Sequence, residues 1–208
     1  MRFLTGLAGG DSDLRARLGQ TIGFDVATAR FAPDSPVIAG TPDDIAAVLA
    51  PELPGLTRDR LTERMNREAA RAPQVAAVPL VPLLAELAAM DLPLGVATND
   101  GGAPARAHLA AAGVSGMLDL ILGSDSGHGG KPGPGQVLAF AAHVGVPPSG
   151  IVMVGDSRHD LKAGRAAGAR TVAVLTGMAG RDSLAPLADA VLPDVGHLPG
   201  WLRRLGTP

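Results

Sequence analysis

The sequence predicts an α/β fold, a three-layer Rossmann-like parallel sheet preceded by a small helical region. Three observations predict it. From about Pro79 onward, short apolar runs alternate with helical stretches. Those runs are continuously apolar rather than alternating, as strands buried on both faces are. Before Pro79 only helical patterns occur, so residues 1–78 read as a helical region and residues 79–208 as the α/β unit.

Each element has its own signal. Leu14, Leu18 and Ile22 share one helical face. Ile45, Val48 and Leu49 share another, behind an N-cap at Thr41 with Pro42 at the first helical position. A third helix follows Thr57, with Leu61 and Met65 inward and Arg60, Glu63, Arg64 and Arg67 outward. The proline-containing stretch from Phe31 to Gly40 reads as a loop. Beyond Pro79, helices are expected over Pro82–Met90, Ala103–Ala112, Gln136–Val144 and Leu161–Ala167, three of them closed by Gly113, Gly145 and Gly168. Strands are expected at Leu92–Thr98, Leu118–Leu122, Ile151–Val154, Thr171–Leu175 and Ala190–Leu192, before a tail helix near Leu198–Leu205. Right-handed crossovers place the C-terminal ends of all these strands along one edge, where ligands bind in such sheets.

Composition narrows the function classes. A net charge of −2 with no Lys/Arg block argues against a nucleic-acid partner. No apolar run reaches the roughly 20 residues that span a bilayer. The start Met1-Arg2-Phe3-Leu4 is apolar, but Gly6, Gly9, Gly10 and Asp11 interrupt it, so it is not read as a signal peptide. Cysteine is absent, which excludes disulfides and thiolate metal sites and is compatible with a reducing cytosol; a cytoplasmic location is expected. No interface signal fixes an oligomeric state. Aromatic residues are 2% of the chain, so the core must be aliphatic.

Three strand ends carry distinctive chemistry. Val96-Ala97-Thr98-Asn99 offers a hydroxyl, an amide and free backbone N–H groups where the next helix begins, all suited to an anionic oxygen. Alone, it is equally an ordinary Thr-Asn-Asp turn. Gly129-Gly130-Lys131-Pro132-Gly133-Pro134 projects a lysine from a loop that lets the backbone approach a ligand. It is not a phosphate-binding Walker A loop, because Asp125 replaces the first glycine and Pro132 the Ser or Thr. Gly155-Asp156-Ser157-Arg158-His159-Asp160 brings two carboxylates to the start of a helix, an arrangement that Mg²⁺ would relieve. Helix capping accounts for Asp160, but less well for the strand-final Asp156.

In this order the three segments resemble the haloacid dehalogenase (HAD) superfamily, and within it the phosphoglycolate-phosphatase-like branch. The likeness covers about residues 80–195, and the helical first part resembles the small cap of many relatives. The resemblance implies a Mg²⁺-dependent phosphatase acting on a small phosphorylated metabolite, by analogy phosphoglycolate, through an aspartyl-phosphate intermediate. Thr98, with Asn99 or its backbone N–H, would bind phosphoryl oxygens, Lys131 would neutralise the nucleophile and phosphate charges, Asp156 would help hold Mg²⁺, and Asp160 would position that metal shell or Lys131. His128 and Gly130 are candidate substrate contacts.

The family's first motif, an apolar strand ending Asp-x-Asp-Gly-Thr, is not found. The only Asp-x-Asp, Asp11-Ser12-Asp13, has neither a β-branched strand before it nor Gly-Thr after it, and reads as a cap opening the Leu14 helix. A central first strand missing from the sheet, a truncated chain and little turnover by these 208 residues are therefore expected. The rivals are a non-catalytic ligand-binding protein of the same fold, and a phosphomutase or dehalogenase of the same superfamily. A receiver domain is set aside, because there the acceptor aspartate precedes the Thr and Lys.

Overall fold

A computed structural model describes residues 2–32 and 35–206. The helical region begins with α1 (Arg2–Ala8) and α2 (Ser12–Thr21), followed by a minimal antiparallel hairpin, β1 (Phe24–Asp25) with β2 (Arg30–Phe31). Helices α3 (Pro36–Ala39), α4 (Pro42–Leu49) and α5 (Arg58–Ala69) complete it. The α/β unit then runs α6 (Leu80–Ala88), β3 (Gly95–Ala97), α7 (Gly102–Ala111), β4 (Leu120–Leu122), α8 (Gly135–Val144), β5 (Val152–Gly155), α9 (Arg158–Ala167), β6 (Arg170–Val174), α10 (Arg181–Leu184), β7 (Ala190–Leu192) and α11 (Leu198–Gly206).

The local chemistry explains most boundaries. Asp11 caps α2, its carboxylate accepting from the N–H groups of Asp13 and Leu14 at 2.9 Å each. Thr41 and Asp44 form a reciprocal capping box at α4, with Pro42 at its first turn. Thr57 caps α5, whose Leu61 is fully buried while Arg60, Glu63 and Arg67 are exposed. Gly145 and Gly168 end α8 and α9 in the left-handed conformation, with φ of 71° and 80°.

Two expectations are corrected. The first 78 residues contain the β1–β2 hairpin, held partly by Phe24 against Phe31 with ring centroids 4.8 Å apart. Its two-residue strands are too short to leave a period in the sequence. The expected Phe31–Gly40 loop contains α3, which Ser35 caps by accepting from Val37 N–H; Pro33 and Asp34 of that stretch lie outside the described residues. Helix α1 includes Gly6, where the Arg64 guanidinium packs close enough that a Cβ would lie 2.7 Å from its Nη2.

All strand pairing in the α/β unit is parallel, in the two groups β3–β4 and β5–β6–β7. Val152 and Val154 face a core shared with Leu83, Leu87, Leu198 and Trp201, whereas Met153 faces Val137, Ala141, Ala163 and Ala167. The sheet is therefore covered on both faces, α6 and α11 on one side and α8 and α9 on the other, which is why its strands read as continuously apolar. A separate cluster from Leu4 to Leu61 forms the core of the helical region.

Among the described residues, β3 and β5 are not hydrogen-bonded to each other. An apolar slot of about 360 Å³ lies between them, lined by Gly95, Val96, Ala97, Val152, Val154 and Phe140 among others. Thr98 N–H bonds across to Leu122 O, and Arg170 N–H to Ile151 O. Alternation along a parallel ladder then turns the backbone groups of Gly95 and Ala97, and those of Val152 and Val154, toward the slot. The expected missing central strand corresponds to this gap. Among the described residues no helix is long and apolar enough to cross a membrane.

Candidate active site

Three connections leaving the sheet build the site. Thr98 follows β3, Asp156 follows β5, and the loop before α8 carries Lys131. The Lys131 ammonium donates to Asp160 Oδ1 at 2.6 Å and to Ala97 O at 2.7 Å, with its side chain 11% exposed and that of Asp160 9%. The second oxygen of Asp160 accepts from the Ser157 N–H and hydroxyl at 3.0 and 2.7 Å, while Ser157 Oγ accepts from Asp160 N–H. Asp160 is thus both the capping-box acid of α9 and the anchor of Lys131. Both its oxygens are engaged, one by Lys131 and the other by Ser157. Gly155 makes this possible, because a Cβ there would collide with the Asp160 side chain.

Asp156 is different. Burial first, and the neighbouring Asp160 carboxylate second, push its acid group above the ordinary aspartate range; its own backbone N–H and the Lys131 charge oppose the shift. Gly177 packs on it, since a Cβ there would lie 2.7 Å from Asp156 Cγ. Mg²⁺ typically takes one or two protein carboxylates and fills its shell with water and phosphate oxygens. Asp156 fits as one such ligand. No group of three or more His, Cys, Asp or Glu side chains that could hold a metal occurs among the described residues.

The Thr98 hydroxyl oxygen accepts from Asp100 N–H at 3.1 Å, which leaves its proton available for an incoming oxygen. The Asn99 amide is fully used. Its Nδ2 donates to Ala39 O at 2.7 Å and to Lys131 O at 2.8 Å, and its Oδ1 accepts from Lys131 N–H at 2.7 Å. Only the Asn99 backbone N–H remains for a phosphoryl oxygen, not the side chain. Gly130 and Lys131 line a cleft of about 810 Å³ between the helical region and the α/β unit, together with Thr41, Asp43 and Asp59. His128 is exposed and is not among that cleft's lining residues.

Sequence reasoning missed Gln136. Its Nε2 donates to Thr98 O at 2.9 Å and to Gly129 O at 3.0 Å, tying the two loops together from the fully buried start of α8. A lone Gln after a Gly/Pro loop gives no signal of such a task. Ser157 was legible only as an intervening position of the Gly-Asp motif.

Comparison with known proteins agrees with this arrangement. A model of the family described as haloacid dehalogenase-like hydrolase matches residues 39–174. A phosphoglycolate phosphatase of Neisseria meningitidis is 39% identical over 118 residues, covering 56% of this chain and 50% of that protein. One from Rhodospirillum rubrum is 37% identical over 121 residues, covering 58% and 50%. The chain thus spans about half the length of the curated relatives it matches. Among solved structures, a HAD phosphatase from Thermococcus onnurineus superimposes with a TM-score of 0.64 at 23% identity, covering 97% of this chain and 85% of that one. The L-2-haloacid dehalogenase of Xanthobacter autotrophicus gives 0.59 at 17%, covering 99% and 93%. At these identities the structural likenesses show the fold alone.

Proposed function

This chain belongs to the haloacid dehalogenase-like hydrolase family, and on that premise we propose that it is a phosphatase of small phosphate monoesters; the family resemblance implies an aspartyl-phosphate intermediate, whose attacking carboxylate is none of the residues placed in this site. The observation that carries the reading is the Lys131 ammonium, held between Ala97 O and Asp160 at the strand-end edge that also bears Thr98 and Asp156. Phosphoryl transfer depends chiefly on positioning and on stabilising charge. A fixed cation with few solvent contacts serves that need, and the free Thr98 proton can donate to a phosphoryl oxygen. Asp156 would hold Mg²⁺, which supplies further charge neutralisation when bound. Asp160 positions Lys131 rather than touching the ligand, and the helical region (residues 1–78) acts as a cap over the 810 Å³ cleft above residues 79–208. Gly130 would touch substrate in that cleft; His128, being exposed, is the weaker of the two candidates. Phosphoglycolate is the first substrate to try, because curated relatives carry that name. The cytoplasm is the proposed location.

Asp11 is not proposed as the nucleophile, because it caps α2. A second reading is a protein of the same fold that binds phosphate without turning it over. One experiment separates them: Mg²⁺-dependent phosphate release from phosphoglycolate and an aryl phosphate, alongside calorimetric binding of inorganic phosphate. Release abolished by Lys131→Met supports the phosphatase. Binding without release supports the second reading for these 208 residues, in which no Asp-x-Asp-Gly-Thr motif is found, and neither binding nor release refutes both.

A further inference from the structure

We propose that Asn99 is a positioning residue that couples the seating of the helical region to the placement of Lys131; the role of Lys131 itself rests on the reading above. A primary amide has two N–H groups and one carbonyl oxygen, and Asn99 has all three paired. Two of the bonds form a clamp on one residue, Oδ1 accepting from Lys131 N–H while Nδ2 donates to Lys131 O. That clamp fixes the Lys131 backbone, while Ala97 O and Asp160 fix the far end of its side chain.

The third bond runs elsewhere. Ala39 O, at the C-terminal end of α3, receives the remaining Nδ2 proton at 2.7 Å. A carbonyl in the last turn of a helix has no partner within that helix, so its partner must come from outside. Here it comes from the α/β unit, 60 residues further along the chain. Next to it, a Cβ on Gly130 would lie 2.7 Å from Thr41 Cγ2 and 3.2 Å from Asn99 Oδ1. Ala39, Thr41, Asn99, Gly130 and Lys131 therefore form one tight knot at the mouth of the cleft.

Lifting the helical region away would break the bond to Ala39 O and keep the two to Lys131. One amide proton would then lose its partner. The fully bonded amide exists only when the helical region is seated, so seating and the Lys131 clamp share a free energy, and such coupling is reciprocal. Ligand held by Lys131 should tighten residues 36–44 even without touching them.

Hydrogen exchange of the whole chain tests this. In unliganded protein, Asn99→Ala should speed exchange about tenfold in both 36–44 and 127–134, the factor expected when a net hydrogen-bond contribution is lost. Asn99→Asp keeps the acceptor for Lys131 N–H and removes both donors, so it should loosen 36–44 and spare the Lys131 amide. Gly130→Ala disturbs the same knot without altering Asn99 and should also loosen 36–44. Exchange over 36–44 that is unchanged in Asn99→Ala and Asn99→Asp overturns the proposal, since Gly130→Ala meets Thr41 directly and cannot rescue it. Inorganic phosphate with Mg²⁺ should protect 36–44 in the parent protein and not in Asn99→Asp; protection retained in Asn99→Asp also overturns it. If phosphate protects neither segment of the parent, the phosphoryl-site reading fails, and the unliganded comparison still decides the role of Asn99.

Discussion

Lys131 Nζ and Asp160 Oδ1 stand 2.6 Å apart with little solvent access to either side chain. Such a pair gains little net stability over a well-packed apolar pair, but breaking it leaves an uncompensated charge. Lys131→Met should therefore destabilise the protein by about 3–5 kcal/mol. Adding Asp160→Leu should restore much of that loss, except for about 1 kcal/mol from the lost cap on α9. Urea denaturation of the two single variants and the double variant measures the coupling. Additive losses would show that the two side chains do not depend on each other.

Asp156 gives a pH dependence of defined sign. Its folded-state acid group titrates above the ordinary aspartate range, so in the window between the two the native state binds more protons than the unfolded chain. Stability then falls as pH rises from about the unfolded value through the raised folded one, and stays lowered above it. Asp156→Asn should raise the thermal midpoint at neutral pH, and the gain should vanish below the unfolded value. A gain that persists in acid would show that charge burial is not the cause.

Gly155→Ala should be more harmful than its size suggests. The added methyl must displace Asp160, which would disturb both the Lys131 anchor and the α9 cap. The expected loss exceeds the roughly 1 kcal/mol that glycine-to-alanine changes commonly gain at unstrained sites, and has the opposite sign. Thermal unfolding checks it, and a stable variant would mean that α9 can shift freely.

The slot between β3 and β5 predicts a gradient of amide exchange. Ala97 and Val154 turn their N–H groups toward it, whereas Val172 lies in β6 between two bonded strands. Exchange at Ala97 and Val154 should be faster than at Val172 by orders of magnitude, since unpaired edge amides need no global opening. Equal protection would mean that the two edges close on each other in solution.

Much of this was legible because it is local. Thr98, Lys131 and Asp156 follow apolar runs, and parallel topology alone brings strand ends to one edge. Caps at Asp11, Thr41 and Thr57 need only three or four consecutive residues. What escaped depends on distance along the chain. The Asn99 amide looked free for a ligand because its partner, Ala39, is 60 positions away. Whether Asp160 would serve a metal shell or Lys131 stayed open, because that lysine lies 29 positions back.

Trp201 is the chain's one tryptophan, tyrosine is absent, and Trp201 is buried with Leu83, Leu87 and Leu198 against the sheet. Tryptophan fluorescence of this protein therefore has a single source, placed in the second half. Melting of the first half alone would be nearly invisible to it. A denaturation curve that differs between fluorescence and far-ultraviolet dichroism would reveal two transitions where either optical signal, taken alone, reports one.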